Sequence, residues 1–455
     1  MMEAPGSKRK RLSNRSVYLP NHVIDRIFTF LPIKDVISSS AVASPFLNSW
    51  MYARNLRFDR IFKSNCGRED ISIINKIISS HLGKKIYSFH LYIPAPNRYS
   101  LFLQEWIQIV ASKGLEELEI DLWFTPDNNE DTYYMHSDSI DIQTLRSVKL
   151  INCELRLSPN LKGLRFLKSL SLTKAPITPH FIQELFRSCV VLESLSLTFC
   201  SSPTNVTIKG SNQLKTILIR GCGNICLITI DDPNIHTFHY EGEIHKIKLI
   251  GPTRFEDVIF NLDTTTWLEH ISGMGNLIEI LRNVQTLSIN NIFLEGLSPR
   301  YIDFEYKDME FCLPNLKELQ IVRHGLTYVN PWDIIFFVKN CPNIERLFLD
   351  FGDYAMEAGR YWNFVAKEKF ENCQIEFSKL KLLKVKGYKK LELEGKLVNF
   401  FLLRAKILES LIIVSKNKHL EIKSKDVVTV SKIVTISTYH HIKDKSSVFP
   451  KHKFF

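Results

Sequence analysis

The sequence predicts a mixed α/β protein, in which a short helical module at the N-terminus precedes an irregular solenoid of repeated short strands. Three observations lead to this prediction. Apolar residues recur at helical spacing within Val17–Trp50, a leucine-based template recurs from about Lys113 onward, and no motif for catalysis interrupts either part. A single repeated strand unit cannot bury its own apolar face, so stacked units share one continuous core.

The N-terminal module contains three short predicted helices. The first spans Asn21–Leu31 and ends at Pro32, which cannot continue a helix. A second is predicted to begin near Lys34–Asp35, and a third spans Ser44–Tyr52 with Pro45 in its first turn, where proline is tolerated. Such a unit is small for a core of its own, so part of its apolar surface is expected to meet a partner.

Short motifs occur along this stretch: Leu19-Pro20, Val23-Ile24, Ile27-Phe28, Phe30-Leu31-Pro32, Lys34-Asp35 and Trp50. On these residues the stretch resembles the F-box, and most closely the plant version of that family. In place of the usual Ser and basic pair the chain has Ala43, Ser44 and Pro45, followed by Phe46 as the aromatic residue. From the pattern alone, a three-helix cap on the following repeats stays an equal alternative. The resemblance implies docking on a Skp adaptor, and through it on a cullin. The implied contact residues are Leu19, Pro20, Ile24, Ile27, Leu31 and Pro32.

The composition is that of a globular protein, since 45% of the 455 residues are hydrophobic and 24% are charged. No apolar run approaches the roughly eighteen residues of a membrane span, and no secretory signal follows the charged N-terminus. The nine scattered cysteines are therefore expected to be free thiols in a reducing compartment. The net charge of +11 is attributed to solvated surface and a lysine-rich tail rather than to a nucleic-acid partner.

The segments that flank the F-box-like stretch (residues 17–52) are assigned as follows. Residues 1–16 are predicted to be a disordered basic tail, whose tetrad Lys8, Arg9, Lys10 and Arg11 is typical of a nuclear import signal. The expected location is therefore the nucleus, the cytoplasm or both. Residues 53–112 are predicted to be a helical linker or solenoid cap with one strand. Its predicted elements are helices at Ile71–Ser80 and Leu101–Ala111 and a strand at Ile86–Ile93.

The repeats follow the template Leu-x-x-Leu-x-Leu-x-x-Asn/Cys-x-Leu, with aliphatic replacements allowed. One copy matches throughout and consists of Leu145, Val148, Leu150, Cys153 and Leu155. The density of such copies predicts an irregular leucine-rich-repeat solenoid over residues 113–379; the alternative is a globular α/β domain with several leucine-rich strands. Other copies begin at Leu115, Leu167, Leu192, Leu214, Val284, Leu316, Ile344, Leu380 and Leu408.

Two features refine the repeat prediction. Fainter copies at Ile225, Ile235 and Ile244 lie only about 9 to 11 residues apart, which predicts closely spaced strands with almost no helix on the convex side. Longer spacings leave room for convex helices, which are predicted at Phe181–Cys189 and Asp333–Asn340. Cysteines at the Asn/Cys position of the template are expected to be core thiols: Cys153, Cys200 and Cys222.

The C-terminal part shows a second resemblance. Residues 380–415 are similar to the FBD segment that follows repeats in many plant F-box proteins. The matching features are a strand ending at Lys386-Gly387, a helix at Leu397–Arg404, and a final strand after Leu408-Glu409. Residues 416–455 are lysine-rich and are predicted to be a basic, partly disordered tail.

The candidate binding site is the concave face of the solenoid. Residues between the inward leucines of each strand are expected to face it, forming a floor of small hydroxyl residues flanked by charges. No metal or cofactor is predicted, because Cys222 and Cys226 lack a second Cys/His pair and no phosphate-binding loop is complete. The residues assigned to the site are Ser171, Ser196, Arg220, His239, Lys246 and Lys248.

These observations favour a non-enzymatic protein. The resemblance implies a substrate-recognition subunit of a Skp–cullin–F-box ubiquitin ligase, with the Skp adaptor, a cullin and an unknown target protein as partners and no membrane. The alternative is a leucine-rich-repeat scaffold or nucleic-acid-associated protein without a ubiquitin role. No nucleic-acid-binding motif supports an association with nucleic acid. A small-molecule receptor has relatives in the family, but no residue here argues for it.

Overall fold

The chain forms two compact units, Met1–Asp121 and Leu122–Phe455. A computed structural model describes part of each, and the description below concerns that part alone. The described residues are 20–28, 31, 33–40, 48–94, 96–122, 133–158, 162–178, 180–201, 205–209, 213–242, 246–249, 254–263, 274–275, 277–297, 310–323, 329–352, 356, 359–415, 433–438 and 451–452.

The first unit combines helices with a parallel sheet. Its strands are β1 (Asn55–Phe58), β2 (Ser88–Tyr92) and β3 (Glu117–Asp121), and β2 pairs with both others. Strand β1 was not predicted, because the linker or cap over residues 53–112 was expected to contain one strand, at Ile86–Ile93. It forms because Leu56 and Phe58 alternate into the core. The helices are Asn21–Phe28, Ile33–Ser40, Arg60–Cys66, Asp70–Ser79 and Pro96–Ala111, with a 3-10 turn at Ser49–Tyr52.

The N-terminal helices differ in their bounds from the sequence prediction. The first ends at Phe28 instead of Leu31, and the second runs over Ile33–Ser40. Of the predicted third helix, Ser49–Tyr52 forms a 3-10 turn, and residues 44–47 lie outside the described residues. Ile24, Phe28, Ile33 and Val36 are buried. The helical spacing of apolar residues therefore does build an inward face.

The second unit is dominated by short parallel strands. The strands in chain order are β4 (Tyr133–His136), β5 (Ser147–Ile151), β6 (Cys153–Arg156), β7 (Ser169–Thr173), β8 (Ser194–Thr198), β9 (Asn205–Lys209), β10 (Thr216–Arg220), β11 (Leu227–Asp231), β12 (Thr237–Gly242), β13 (Lys246–Leu249), β14 (Asp257–Leu262), β15 (Thr286–Asn290), β16 (Glu318–Val322), β17 (Arg346–Asp350), β18 (Leu382–Lys386), β19 (Ser410–Ser415) and β20 (Ile433–Thr438).

One long parallel sheet runs through this unit in the order β5, β7, β8, β10, β12, β14 to β20. Its strands pair without a shift, so that Leu170 of β7 lies beside Leu195 of β8 and Leu172 beside Leu197. All four leucines are buried, whereas the residues between them are half-exposed. The predicted Leu-x-Leu strands are thus confirmed as units of a shared core, and the fold is consistent with a leucine-rich-repeat solenoid.

Smaller sheets explain the short central spacings. Strands β9, β11 and β13 form a separate parallel sheet, and β4 pairs with β6 in another. From β8 to β14 the chain therefore alternates between the long sheet and the smaller one. The copies at Ile225 and Ile244 are closely spaced strands, as predicted, and they belong to the smaller sheet. A strand takes the place of a helix there, which shortens each turn of the coil.

The strand exits use a left-handed residue followed by a small buried one. Asn152, Lys174 and Phe199 have positive φ directly after β5, β7 and β8. The next residues include Cys153 and Cys200, which are buried, and the Cys200 Sγ lies 3.5 Å from the carbonyl oxygen of Leu172. The prediction of core thiols at this template position is confirmed, because only a small side chain fits between successive turns.

The helices of the second unit agree with the predicted convex positions. Two of them cover the predicted segments 181–189 and 333–340, and Asn330 and Asp333 form a capping box at the start of the second. In the FBD-like segment, a helix links β18 and β19. The helices are Phe181–Ser188, Asn291–Leu297, Pro331–Lys339, Lys367–Asn372 and Glu392–Arg404.

The C-terminal tail contains structure that the sequence did not predict. Strand β20 lies within residues 416–455 and extends the long sheet by pairing with β19. Lys451 and His452 are also described, and His452 is buried. Among the described helices, none is both long and apolar enough to span a bilayer.

Candidate functional site

The first, third and fifth residues of the strands in the long sheet form the face that we call the concave face, as in the sequence prediction. Because neighbouring strands pair in register, residues at the same strand position form rows across the sheet. The third residues run from Ser171 through Ser196, Leu218 and His239 in one straight row. Because parallel strands stack without a shift, side chains on neighbouring strands lie directly beside one another. This face is where side chains from many repeats come together.

Between β5 and β12 the concave face is partly open. The structure places Ser171, Ser196, Arg220 and His239 on it, each half-buried. Arg220 pairs with the residue opposite it on β12, with its Nε 2.9 Å from the Oε2 of Glu241. The open part of this face thus carries small hydroxyl side chains beside Leu218, which allows close approach by a partner. It also supplies one oriented ion pair.

The assignment of Lys246 and Lys248 to this face is wrong. Both lie on β13, which pairs with β11 in the smaller sheet. The misassignment arose because the sequence of β13 has the same apolar alternation as its neighbours, although β13 belongs to a different sheet. The basic end of the predicted site therefore consists of Arg220 and His239 alone.

Between β15 and β19 the concave face is closed. Ser288, Gln320, Phe348 and Lys384, the third residues of β15 to β18, are buried. Apolar side chains join them in a second core on this side of the sheet. Its members are Phe348, Leu382, Ile412 and Val414. The open surface for a partner is accordingly the half that precedes β15.

An acidic pocket lies at the border between the two halves, and we define it by Asp257, Glu318, Ser288 and His239. Asp257 and Glu318 are first residues of β14 and β16, and both are buried. His239 Nε2 lies 3.4 Å from the Oδ1 of Asp257. Arg346 Nη1 lies 3.0 Å from the Oε2 of Glu318. Each buried carboxylate therefore keeps one basic partner from the sheet itself.

Two residues of the C-terminal tail fill this pocket. The backbone N–H of Lys451 donates to the Oε1 of Glu318 at 2.8 Å, and its Nζ lies 2.7 Å from the Oδ2 of Asp257. His452 hydrogen-bonds the Oδ1 of Asp257 through Nε2 and the Oγ of Ser288 through Nδ1, the latter at 2.5 Å. Since a carboxylate only accepts, Nε2 of His452 bears the proton.

Electrostatics in the pocket favour the ionised carboxylate. Burial by itself raises the pKa of Asp257, but the hydrogen bonds from His239, His452 and Lys451 outweigh it and hold that pKa well below its usual range. No pattern in the sequence predicted this pocket, because the tail residues are 133 or more positions away from their partners.

The pocket also holds the one described group of side chains with a plausible metal-ligand set. Ligand atoms of His239, Asp257 and His452 all lie within 4.8 Å of one another. Lys451, however, places its ammonium on the other carboxylate oxygen. A cation there competes with a divalent metal for the same negative charge. The geometry favours an ion-paired cluster over a metal centre.

The predicted adaptor-binding residues divide into two groups. Pro20 is exposed, Ile27 is 44% exposed and Leu31 is half-buried, so these can face a partner. Ile24 is only 4% exposed, and its assignment as a contact residue is corrected because its side chain belongs to the core of the helices. The others lie outside the described residues: Leu19 and Pro32, together with the basic tetrad 8–11.

Comparison with known proteins now fixes the family. Residues 77–443 match the family model described as the At1g61320/AtMIF1 LRR domain. The chain belongs to this LRR-domain family. The match begins in the helix Asp70–Ser79 and covers both the long sheet and the FBD-like segment.

Full-length relatives of this LRR-domain family come from Arabidopsis thaliana. The FBD-associated F-box protein At1g61320 is 25% identical over 456 residues, covering 95% of this chain and 98% of that protein. At1g61330, provisionally named as an FBD-associated F-box protein, is 26% identical over 446 residues, covering 96% and 98%. The F-box/FBD/LRR-repeat protein At1g78750 is 24% identical over 472 residues, covering 96% and 97%. The resemblance to plant F-box/leucine-rich-repeat proteins with an FBD segment is confirmed.

Proposed function

We propose that this chain is the substrate-recognition subunit of a Skp–cullin–F-box ubiquitin ligase. The observation that carries the proposal is full-length similarity to proteins named for an F-box, which includes the N-terminal helices as well as the repeats. A long polar face on the second unit supports a role in holding a protein target.

The mechanism is proximity rather than chemistry on this chain. The N-terminal helices bind a Skp adaptor, and the concave face binds a target protein. A ubiquitin-conjugating enzyme elsewhere in the assembly then meets lysines of the target at high effective concentration. This chain contributes binding and orientation, and bond making belongs to the other subunits.

The first helix supplies the adaptor contact in this proposal. It is amphipathic, and Ile24 and Phe28 are buried, whereas Ile27, which neighbours Ile24 on the helix surface, is exposed. An isoleucine that stays 44% exposed on such a short helix is an apolar anchor for a partner. Pro20, also exposed, precedes this helix and accepts the backbone N–H of Val23 at 2.9 Å.

Co-purification with a Skp adaptor tests the proposal. The wild-type chain is expected to bind, and both a Leu19→Ala/Pro20→Ala double variant and Ile27→Asp are expected to lose binding. Ile61→Asp is the matched control, because Ile61 is a 71% exposed helical isoleucine outside the proposed contact. Retention of the adaptor by Ile27→Asp and by the double variant, or equal loss in the control, would refute the proposal.

We further propose a nuclear or cytoplasmic location, supported by the basic tetrad at residues 8–11. A fluorescent fusion of the whole chain in plant cells tests it, and replacing Lys8, Arg9, Lys10 and Arg11 with alanine is expected to reduce the nuclear fraction. An unchanged distribution removes the role of the tetrad. The alternative of a nucleic-acid-associated scaffold requires binding that weakens steeply with salt.

A further inference from the structure

We propose that the acidic pocket of Asp257, Glu318, Ser288 and His239 is a recognition site for a lysine-histidine segment of the target protein, which the chain's own Lys451–His452 occupies in the free protein. This inference rests on the proposed function, since it names the class of target that the concave face takes. It goes further in assigning the recognising residues and a built-in competitor.

The contacts define what the pocket recognises. One carboxylate, Asp257, receives both the Lys451 ammonium and the His452 ring, while Glu318 receives the backbone N–H of Lys451. The backbone contact positions the dipeptide, and the contacts of its two side chains determine which residues the pocket accepts. A basic residue followed directly by histidine is therefore the motif that fits, with the histidine held on its far side by Ser288.

The histidine is the more deeply inserted of the two residues. His452 is 5% exposed and packs edge to face against His239, with ring centroids 5.4 Å apart. The side chain of Lys451 stays 55% exposed while its ammonium reaches Asp257. Arginine has the length and charge to replace lysine at an exposed position, whereas the enclosed ring site selects for the size of an imidazole.

Both carboxylates of the pocket keep partners from the sheet when the tail leaves. Asp257 keeps His239, and Glu318 keeps both Arg346 at 3.0 Å and the Nε2 of Gln320 at 2.8 Å. A buried carboxylate stripped of every partner would be costly, but neither carboxylate reaches that state here. Exchange of the tail for an equivalent segment of a target is therefore feasible.

The tail competes because it is tethered. Lys451 and His452 belong to the same chain as the pocket, so their effective concentration there exceeds that of a free peptide. Only molecules whose pocket is open can bind a target segment, so its apparent affinity equals the intrinsic affinity multiplied by the fraction of open molecules. A weakly binding or scarce target is excluded in this way, and one that offers additional contacts on the open half of the concave face displaces the tail.

The test measures binding of a fluorescein-labelled peptide with the sequence of residues 446–455 to the full chain by fluorescence anisotropy. Wild type is compared with the Lys451→Ala/His452→Ala double variant, whose own tail no longer fits. We expect the double variant to bind the peptide at least about tenfold more tightly than wild type. A peptide with alanine in place of both residues is expected not to bind either protein.

Pocket variants complete the test. Asp257→Asn or Glu318→Gln, each added to the double variant, is expected to weaken peptide binding about tenfold or more. Two pocket variants are used so that one poorly folded protein does not decide the result, and thermal unfolding checks both. Lys396→Ala is the matched control, since Lys396 pairs with Glu392 on an exposed part of a helix, and it should change nothing.

Three results would overturn the inference. The first is equal peptide affinity of wild type and the double variant, and the second is binding that ignores both pocket variants. The third is binding that requires added zinc and disappears in EDTA, which would make His239, Asp257 and His452 a metal site. Adaptor co-purification with the double variant separates the two proposals, because it is expected to persist whatever happens to the peptide.

Discussion

Arg346 and Glu318 are direct neighbours in register on adjacent strands, and the Nη1 of Arg346 lies 3.0 Å from the Oε2 of Glu318. Glu318 is buried, so this ion pair orients a carboxylate whose other oxygen accepts from Lys451 and Gln320. The same guanidinium lies over the ring of Phe348, 5.2 Å from its centroid. One arginine thus connects the acidic pocket with the closed half of the concave face.

The Arg346→Ala change is expected to lower the free energy of unfolding by about 1–3 kcal/mol, because it removes the cation from a buried carboxylate. Lys381→Ala provides the control. Its partner Glu345 is 3.9 Å away and both side chains are well exposed, so a loss below about 1 kcal/mol is expected. Urea unfolding of both variants measures the difference, and equal losses would mean that the Arg346–Glu318 pair stabilises the fold no more than an exposed ion pair does.

A pair of glycines is expected to respond to alanine with opposite signs. Gly387 has φ +74° after β18, and a Cβ there would lie 2.9 Å from the carbonyl oxygen of Gly352. Gly387→Ala should therefore destabilise the protein by about 1–2 kcal/mol or more. Gly395 lies inside the helix Glu392–Arg404 with only an ordinary contact to Tyr388, so Gly395→Ala should stabilise it by about 0.5–1 kcal/mol.

Denaturant unfolding of the two glycine variants against wild type is the measurement. A Gly387→Ala variant as stable as wild type would show that the left-handed turn after β18 imposes no constraint, and a destabilised Gly395→Ala variant would contradict the expectation for the helix. The comparison is informative because both glycines lie in the FBD-like segment and neither belongs to the acidic pocket.

The thiols are expected to react in two classes. Burial raises the pKa of Cys153 and of Cys189 to about 12, whereas Cys226 and Cys312 are exposed. At pH 8 a thiol with such a pKa is ionised in only about one part in ten thousand, and the thiolate is the reactive form. A disulfide reagent should label Cys226 and Cys312 within minutes in the native protein, and Cys153 and Cys189 only after unfolding.

Mass spectrometry of the labelled peptides assigns each class. Cys226→Ser is the control, since it should remove part of the fast phase and leave the slow phase intact. Rapid labelling of Cys153 in the native protein would contradict its place between successive turns of the solenoid.

His81 is expected to make the first unit sensitive to mild acid. It is 5% exposed, and burial first and the charge of Lys113 second lower its pKa, against the hydrogen bond to the carbonyl oxygen of Ala53 that raises it. The folded state then binds fewer protons than the unfolded state below about pH 6.5. The stabilising contribution is complete above that pH and is lost as the pH falls below it.

Urea unfolding at pH 7.5 and pH 5.5 checks this expectation with His81→Gln, which keeps a donor for Ala53 but does not titrate. Wild type should lose more free energy of unfolding between the two pH values than the variant does. An identical loss in both would assign the acid sensitivity to other groups.

The sequence predicted the strands of the long sheet well, because the physical requirement is local. An inward Leu-x-Leu pair must alternate with polar residues wherever a strand has one buried face, as in β7 and β8. The same rule could not separate strands of the two sheets, since β11 of the smaller sheet buries alternate residues just as β12 of the long sheet does. Lys246 and Lys248 were misassigned for that reason.

Contacts over long sequence separation were beyond prediction. Pairing of Asp257 with His452 spans 195 positions, and no local pattern marks either residue as a partner. Burial of Ile24 and exposure of Ile27 depend on which side of one helix faces the rest of the first unit, and helical spacing alone placed both on a single apolar stripe. The sequence therefore predicted which strands carry the candidate site, but not the ion pairs and hydrogen bonds within it.

The alternation of β8 to β14 between two sheets has a mechanical consequence. Neighbouring parallel strands stand about 4.8 Å apart. Packed helices need about 8–10 Å, and this mismatch between the two sides of a coil bends an array of helix-backed repeats. Where strands stack on both sides, the mismatch vanishes. The stretch that holds Arg220 and His239 is thus expected to be the straightest part of the second unit and, with backbone hydrogen bonds on both sides, the stiffest under tension.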